Sequence, residues 1–510
     1  MEKFVSHKWI LVILLISAAS VLTAGLGTEV YLGDEVYHYR FAKDIYATDT
    51  RVAFDPLYPS GNPPGYFYTS EPLWHALLAV VWRLTGGISF SVAQIYHTFY
   101  YLLLILVVYL LGMQIYGKKE GTYAALLISS VPMVISFSIL FYLDVPGTAF
   151  AALSLLLLLK KRYFLTGLSI SLMYFTRRNA CFLVPGFMLI VYFFGEDKLL
   201  HRFKNIVFLI FPTVILGSMD QKWRQAHIES IGWGGYRSVN TWEYIKTRMM
   251  KLIWGSGEFL NSSLINPRDI VQYLGVVLLM ALIIYLLFKP GKKKDAPLWI
   301  CIGVYFLIFI FFFGANSDIR YLFPIIPLIS VLTASSFPYL GHFRWMKILI
   351  SVLCLFQLLG TSFYVHQKRL IPSETKEGFT FIKQNTPENA LFMYPGYNFI
   401  ETTGRKFVWA SFFQAEAWAM GKKYPALDFS KDKSHLMFWN NKENDIQQIM
   451  ETNKLDYIVV DKSRIYDDTK VKHFGGYPKS FVEKLPTSSL VKKIFENQAM
   501  SVWEVKREKK

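Results

Sequence analysis

The sequence predicts a polytopic α-helical membrane protein with about eleven transmembrane helices and a C-terminal soluble α/β domain. Three observations predict it. Of 510 residues, 53% are hydrophobic and only 18% are charged, far too apolar for a soluble chain of this length. Apolar stretches of helical length recur through residues 1–366 and then stop. The basic residues between them fall in alternate loops, as the positive-inside rule requires.

Taken in order, the first span covers residues 9–25 behind Lys3 and Lys8. It reads as an uncleaved anchor, because the apolar run is long for a signal core and no small-residue cleavage site precedes Gly33. Further spans are expected near 91–116, 121–141, 145–159, 163–176, 180–195, 205–219, 270–288, 297–314, 321–340 and 346–365. With a cytoplasmic N-terminus, the inside loops hold Lys118 and Lys119, Lys160 to Arg162, Lys198 to Lys204, Lys289 to Lys294, and Arg344 with Lys347. The loop 26–90, the turns at Asp144, Arg177 and Arg320, and the whole of 367–510 then lie on the outer side. A formal charge of +17 is accounted for by these loops and by anionic membrane lipids, so no nucleic-acid partner is expected. Cys181, Cys301 and Cys354 all sit in apolar segments, which leaves the outer loops and the C-terminal region without disulfides.

The outer loop carries the first candidate site. Asp34 and Glu35 are adjacent acids just beyond the first span, and ionisable groups there are functional by default. If Asp34 to Tyr46 is helical, Tyr37, Phe41 and Ile45 form one stripe, while Asp34 and His38 share another face. That spacing lets His38 bond Asp34 or help to hold an anion; helix capping by Asp34 is the plainer alternative. Pro56, Pro59, Pro63 and Pro64 then break the chain into turns carrying Tyr58, Tyr66, Phe67 and Tyr68, which suit sugar stacking or headgroup anchoring. After Glu71 and Pro72, Leu73 to Leu84 contains His75 and Arg83, is too short to span, and is expected along the membrane surface.

Later turns add charge. Asp144 stands in a tight turn with no base beside it in the chain. Arg177, Arg178 and Arg320 break the positive-inside pattern. Arginines on the outer side suit an anionic ligand such as phosphate, and pairing with Asp34, Glu35 or Asp144 is an equal alternative. Residues 220–268 are basic and aromatic, and Trp242, Ile245, Met249, Leu252 and Ile253 give one apolar helical face for the interface.

Beyond residue 367 the pattern changes. Ser373 to Gln384 and Asp445 to Thr452 read as helices, Ala390 to Tyr394, Lys406 to Ala410 and Tyr457 to Asp461 as strands, and Val491 to Lys506 as a hairpin. No phosphate loop, paired metal spacing or nucleophile elbow occurs here, so no chemistry is assigned to it.

In the order of these motifs the chain resembles the GT-C superfamily of membrane glycosyltransferases, in the style of the protein O-mannosyltransferases and lipid A aminoarabinose transferases. The resemblance rests on Gly33-Asp34-Glu35, on Asn62-Pro63-Pro64 through Glu71-Pro72-Leu73, on Asp144, on Leu172 to Pro185 with Arg177 and Arg178, and on Arg320-Tyr321-Leu322-Phe323-Pro324 through Pro327. The chain lacks the lysine of the aminoarabinose group before Pro72 and the His-Pro-Pro of the mannosyltransferases, so the acceptor stays open. The acidic pair followed by His38 is also similar to that of lipid-linked oligosaccharide glucosyltransferases.

The resemblance implies a polyprenyl-phosphate sugar donor and a glycan, lipid or protein acceptor. Such a donor already carries a good leaving group, so the reaction needs a base and cations at the departing phosphate rather than an acid. Asp34 is assigned as base, with Glu35 and Asp144 orienting the acceptor. Arg177, Arg178, Arg320 and His38 are assigned to the donor phosphate, and Glu71, Tyr66, Tyr68, His75 and Tyr321 to acceptor or sugar binding. One base and one displacement imply inversion; a retaining route needs a second carboxylate as nucleophile, and Glu35 stands open for it. No cofactor is required, although Asp34 and Asp144 leave a divalent metal open. A transporter would also place acids and arginines in a bundle, but with internal repeats that are not seen here. A non-catalytic scaffold for a lipid-linked glycan is the third reading.

Overall fold

The computed structural model describes residues 2–28, 34–48, 52–54, 66–68, 71–195, 198–227, 267–288, 293–312, 319–337, 344–396, 398–410, 412–413, 437–439, 445–468 and 476–506. The interfacial helix expected around Trp242 to Ile253 lies outside these residues.

A multi-pass helical bundle forms the larger part. It begins with α1 (Glu2–Gly25), α2 (Asp34–Thr48), the short antiparallel strands β1 (Val52–Phe54) and β2 (Tyr66–Tyr68), and α3 (Leu73–Leu84). Then come α4 (Phe90–Ile115), α5 (Lys118–Ser130), α6 (Pro132–Ile139), α7 (Asp144–Leu159), α8 (Tyr163–Thr176), α9 (Val184–Phe194) and α10 (Leu199–His227). Helices Pro267–Phe288, Ala296–Phe312, Ile326–Ala334 and Arg344–Arg369 complete the bundle. Among the described residues, Lys8–Gly25, Phe90–Ile115, Leu199–Lys222 and Trp345–Asn385 are long and apolar enough to cross a membrane. Length and composition thus give four spans, or five when the bent pair α5 and α6 is counted as one. Most of the other expected spans are helices of 10–17 residues.

The bend between α5 and α6 is 61° and has a local cause. Pro132 has no N–H to continue the helix, and Val131 before it is extended, as a residue preceding proline prefers. Carbonyls freed inside an apolar bundle need other donors. The Tyr101 hydroxyl donates to Ser129 O at 2.7 Å and the Gln357 amide to Ser130 O at 2.6 Å. Gln357 reaches that point past Gly275, whose φ of +78° and lack of Cβ leave it room; an added Cβ would sit 2.3 Å from the amide nitrogen. The first and last long helices also bond directly, Ser20 to Ser362 at 2.8 Å and the His366 ring to Ala24 O at 3.0 Å.

Both ends of the bundle bury acids. At the Tyr116 end of α4, the hydroxyls of Tyr116 and Tyr285 donate to the fully buried Asp295 at 2.6 and 2.7 Å. At the other end lie the buried Glu35 and Asp144 and the partly exposed Glu71, described below.

Residues after the bundle build a five-stranded mixed sheet from β3 (Leu391–Tyr394), β4 (Lys406–Trp409), β5 (Tyr457–Asp461), β6 (Val491–Glu496) and β7 (Met500–Val505). The strand order is β6-β7-β5-β3-β4. Alternation along each strand serves two cores. Phe392, Tyr394, Tyr457, Val459 and Val502 join Phe379 and Ile382 of helix Ser373–Asn385. Met393, Ile458, Val460 and Trp503 join Ile446, Ile449 and Phe481 on the opposite face.

Candidate active site

Glu71, Asp144 and Arg177 come from three separate elements and meet at one end of the bundle. Asp144 opens α7 and is only 2% exposed. Arg177 follows the end of α8, where the backbone turns extended (φ −154°, ψ 97°) before the 3-10 helix Arg178–Leu183. That turn aims the Arg177 side chain at two carboxylates: Nε donates to Asp144 Oδ1 at 2.9 Å and Nη1 to Glu71 Oε2 at 3.4 Å. The next backbone N–H, of Arg178, donates to Glu71 Oε1 at 2.8 Å. Gly147 lets α7 approach so closely, since a Cβ there would lie 2.3 Å from Arg177 Cβ. The acid with no base beside it in the chain thus acquires one from 33 residues away.

Two more arginines border the group. Arg178 bonds Asp220 at 3.2 Å, and its guanidinium lies over Tyr174 at 4.7 Å. The Tyr321 ring receives both Arg177, at 5.8 Å, and Arg320, at 5.4 Å. The Tyr305 hydroxyl holds the Tyr321 carbonyl. Three buried or nearly buried polar groups here have no hydrogen-bond partner among the described residues: Arg178 Nε, both side-chain atoms of Asn179, and Thr148 Oγ1.

A pair of histidines borders this cluster. His38 Nδ1 and His75 Nε2 are 3.1 Å apart, and His75 Nδ1 is 3.1 Å from Glu71 O. Burial pushes His75 down to about 3, and it pushes His38 well below the usual histidine value, with His75, Arg177, His97 and Arg320 adding to the effect. Both rings are therefore neutral near pH 7. A carbonyl can only accept, so His75 Nδ1 carries the proton and His75 Nε2 accepts from His38 Nδ1–H. The remaining His38 nitrogen, Nε2, then presents a lone pair. In this tautomer it accepts from a hydroxyl.

Glu35 is elsewhere. It is fully buried and bonded to Arg369, through Nη2 at 2.5 Å and Nε at 3.3 Å. Its carboxylate is held in an internal ion pair. Asp34 opens α2, and Tyr66 and Tyr68 lie on β2; the side chains of all three are outside the described residues. A divalent metal does not fit the described donors. No group of three His, Cys, Asp or Glu among them could hold one, and Asp144 is engaged by Arg177.

Sequence reasoning missed Asp220, Arg369, Asn179 and Thr148. Asp220 had a signal, a lone acid at the end of an apolar helix. The others had none beyond their position.

Residues 69–218 match the family described as dolichyl-phosphate-mannose-protein mannosyltransferase, a span that includes Glu71, Asp144, Arg177 and Arg178. No curated sequence matches. Among solved structures, the chain is similar to ArnT from Cupriavidus metallidurans bound to undecaprenyl phosphate, with TM-score 0.60, 12% identity, and 97% of this chain and 98% of that one covered. It is also similar to the oligosaccharyltransferase of Archaeoglobus fulgidus, with TM-score 0.55, 14% identity, and 89% and 69% covered. A structure of that protein holds zinc and sulfate, and another is tethered to an acceptor peptide. The mycobacterial arabinofuranosyltransferase AftD gives TM-score 0.51 at 11% identity, over 98% of this chain and 41% of that one. These likenesses show a shared fold.

Proposed function

With the GT-C glycosyltransferase fold of this chain as premise, we propose that it transfers a sugar from a polyprenyl-phosphate donor to an acceptor hydroxyl, with inversion at the anomeric carbon. The observation that carries this reading is the Arg177 group: a guanidinium 15% exposed, held between Asp144 and Glu71, with Arg320 sharing Tyr321 and Arg178 alongside. A cluster of cations that reaches solvent at one end of an apolar bundle suits a lipid-linked phosphate.

In the proposed reaction the acceptor oxygen attacks the anomeric carbon and the bond from that carbon to the phosphate oxygen breaks. The electron pair leaves with the polyprenyl phosphate, and Asp34 takes the hydroxyl proton. Arg177, Arg178 and Arg320 stabilise the charge that grows on the phosphate. Asp144 and Glu71 keep Arg177 in place, which matters because a misdirected cation loses most of its effect on the transition state. His38 Nε2 accepts from a second hydroxyl of the sugar or acceptor, not the one that attacks, and Tyr321, Tyr66, Tyr68 and His75 line the sugar or acceptor. Glu35 has no direct part. No step passes through a metal.

The likeness to ArnT, whose structure holds undecaprenyl phosphate, supports the donor class. Residues 1–366, with the loop 26–90, make the transferase region, and residues 367–510 an extracytoplasmic α/β domain. The N-terminus is cytoplasmic in this reading, since the loops holding Lys118, Lys161, Lys198 and Lys293 are the basic ones.

The test is transfer of labelled sugar from a panel of polyprenyl-phosphate sugars, in membranes holding equal amounts of the wild type, Asp34→Asn or Arg177→Ala. Transfer by the wild type and its loss in both variants is the expected result. No transfer from any donor overturns the reading, and full activity of Asp34→Asn removes Asp34 as base.

A further inference from the structure

Arg369 is the last residue of helix Arg344–Arg369 and is fully buried. A buried guanidinium is tolerated only when its donors are satisfied, and here three nitrogens are engaged. Two bond Glu35, and Nη1 bonds Gln94 Oε1 at 3.2 Å. Gln94 in turn donates to Ser138 O at 3.3 Å. The guanidinium lies over Phe90 at 5.0 Å and over Phe141 at 5.4 Å.

Two of these neighbours point to function. Glu35 directly follows Asp34, and Phe141 stands three residues before Asp144. Phe141 has φ +51°, a left-handed conformation that a phenylalanine adopts only when its surroundings enforce it. Its ring is enclosed by Tyr39, Trp74, Phe90 and His97 as well as by Arg369. One side chain therefore grips the segment entering α2 and the segment entering α7, which carry the two acids of the proposed site. Lys43 ties α2 a second time, to Glu401 of the C-terminal region at 2.8 Å.

We propose that Arg369 is a positioning residue for the transfer reaction, fixing the start of α2, and so Asp34, against the turn that leads to Asp144. It acts through Glu35 and Phe141 and touches no reacting atom. This rests on the transferase reading, with Asp34 as base.

The experiment is a double-mutant cycle on the full chain in membranes. Arg369→Lys keeps the charge and loses the fork, and Asp34→Glu keeps a carboxylate but displaces it by one methylene. Arg369→Lys alone is expected to lower kcat by about 100-fold, the order found for small misplacements of a catalytic group, with donor KM changed less than about twofold. In the Asp34→Glu background the same substitution is expected to lower kcat by less than about threefold, because the carboxylate is already displaced. The double variant Glu35→Gln with Arg369→Gln, which removes both buried charges together, is expected to extract and melt like the wild type and to show the kcat loss of Arg369→Lys. Equal losses in both backgrounds, or unchanged kcat in a folded Arg369 variant, overturn the proposal. Its failure and that of the transferase reading separate cleanly: no transfer by the wild type sinks the transferase reading, whereas a transferring wild type with additive losses sinks only the role of Arg369.

Discussion

Two groups of acids and arginines lie at the same end of this bundle, and they differ in how completely the protein itself satisfies them. Glu35 and Arg369 are both fully buried, and the fork is filled by the carboxylate and Gln94. Around Arg177 the side chains are 15% and 17% exposed for Arg177 and Glu71, and Asn179, Thr148 and Arg178 Nε keep hydrogen-bonding capacity that no group among the described residues uses. Nearly all buried polar atoms in proteins find partners. A closed group of this kind reads as architecture, whereas spare capacity beside a partly exposed cation is what the proposed donor site requires. The His38–His75 contact lies between them, since His38 is on the helix that Arg369 holds and His75 follows Glu71 by one turn.

The difference is sharpest where the partner of a closed pair is removed. Arg369→Ala leaves Glu35 buried without its cation, and the expected loss is roughly 3–5 kcal/mol of stability; a thermal melt of the detergent-purified protein reads it, and an unchanged melt would erase the distinction drawn here. Arg177→Lys is the counterpart in the open group. It is expected to leave the melt nearly unchanged and to reduce kcat about 100-fold, the order of losing one oriented donor at developing charge, as initial rates of label transfer would show. Asn179→Leu is smaller again. Removing an amide with no hydrogen-bond partner among the described residues should not destabilise the protein, while the KM for donor rises by about tenfold if that amide serves the ligand, which is roughly one hydrogen bond. Acid acts on the contact between the groups. His75 has a folded pKa of about 3 against an ordinary value of about 6.5, so below the ordinary value the unfolded chain binds more protons than the folded one. Stability is therefore expected to fall as pH drops from about 6.5 towards 3, and the slope should flatten in His75→Gln, measured as melting temperature against pH.

Much of the architecture could be read from periodicity, and much of the site could not. Helices Asp144–Leu159 and Tyr163–Thr176 and the strand Tyr457–Asp461 stand within a residue of where apolar pattern and turn residues place them. Asp144, Arg177 and Glu71 were visible one by one, as charges in the wrong setting. Their meeting was not, because it depends on α7 closing on Arg177 at Gly147, a packing event between elements. The pairing of Glu35 was not legible from its adjacency to Asp34. Neighbouring residues on a helix point about 100° apart, so the acid beside Asp34 looks into the bundle. Arg369 was hidden because a base after a long apolar run reads as an ordinary flanking charge.

The last long helix has a consequence for how the chain is made. Arg369 completes Glu35, Ser362 meets Ser20, and Gln357 supplies the donor that the break at Ser130 lacks, at separations of 334, 342 and 227 residues. Synthesis runs from the N-terminus, so the Ser130 carbonyl and the Ser20 hydroxyl meet these partners only when the last long helix has been made. The bundle is therefore completed late, by the arrival of one helix, and a nascent chain halted before Arg344 lacks the contacts that join its first and last long helices.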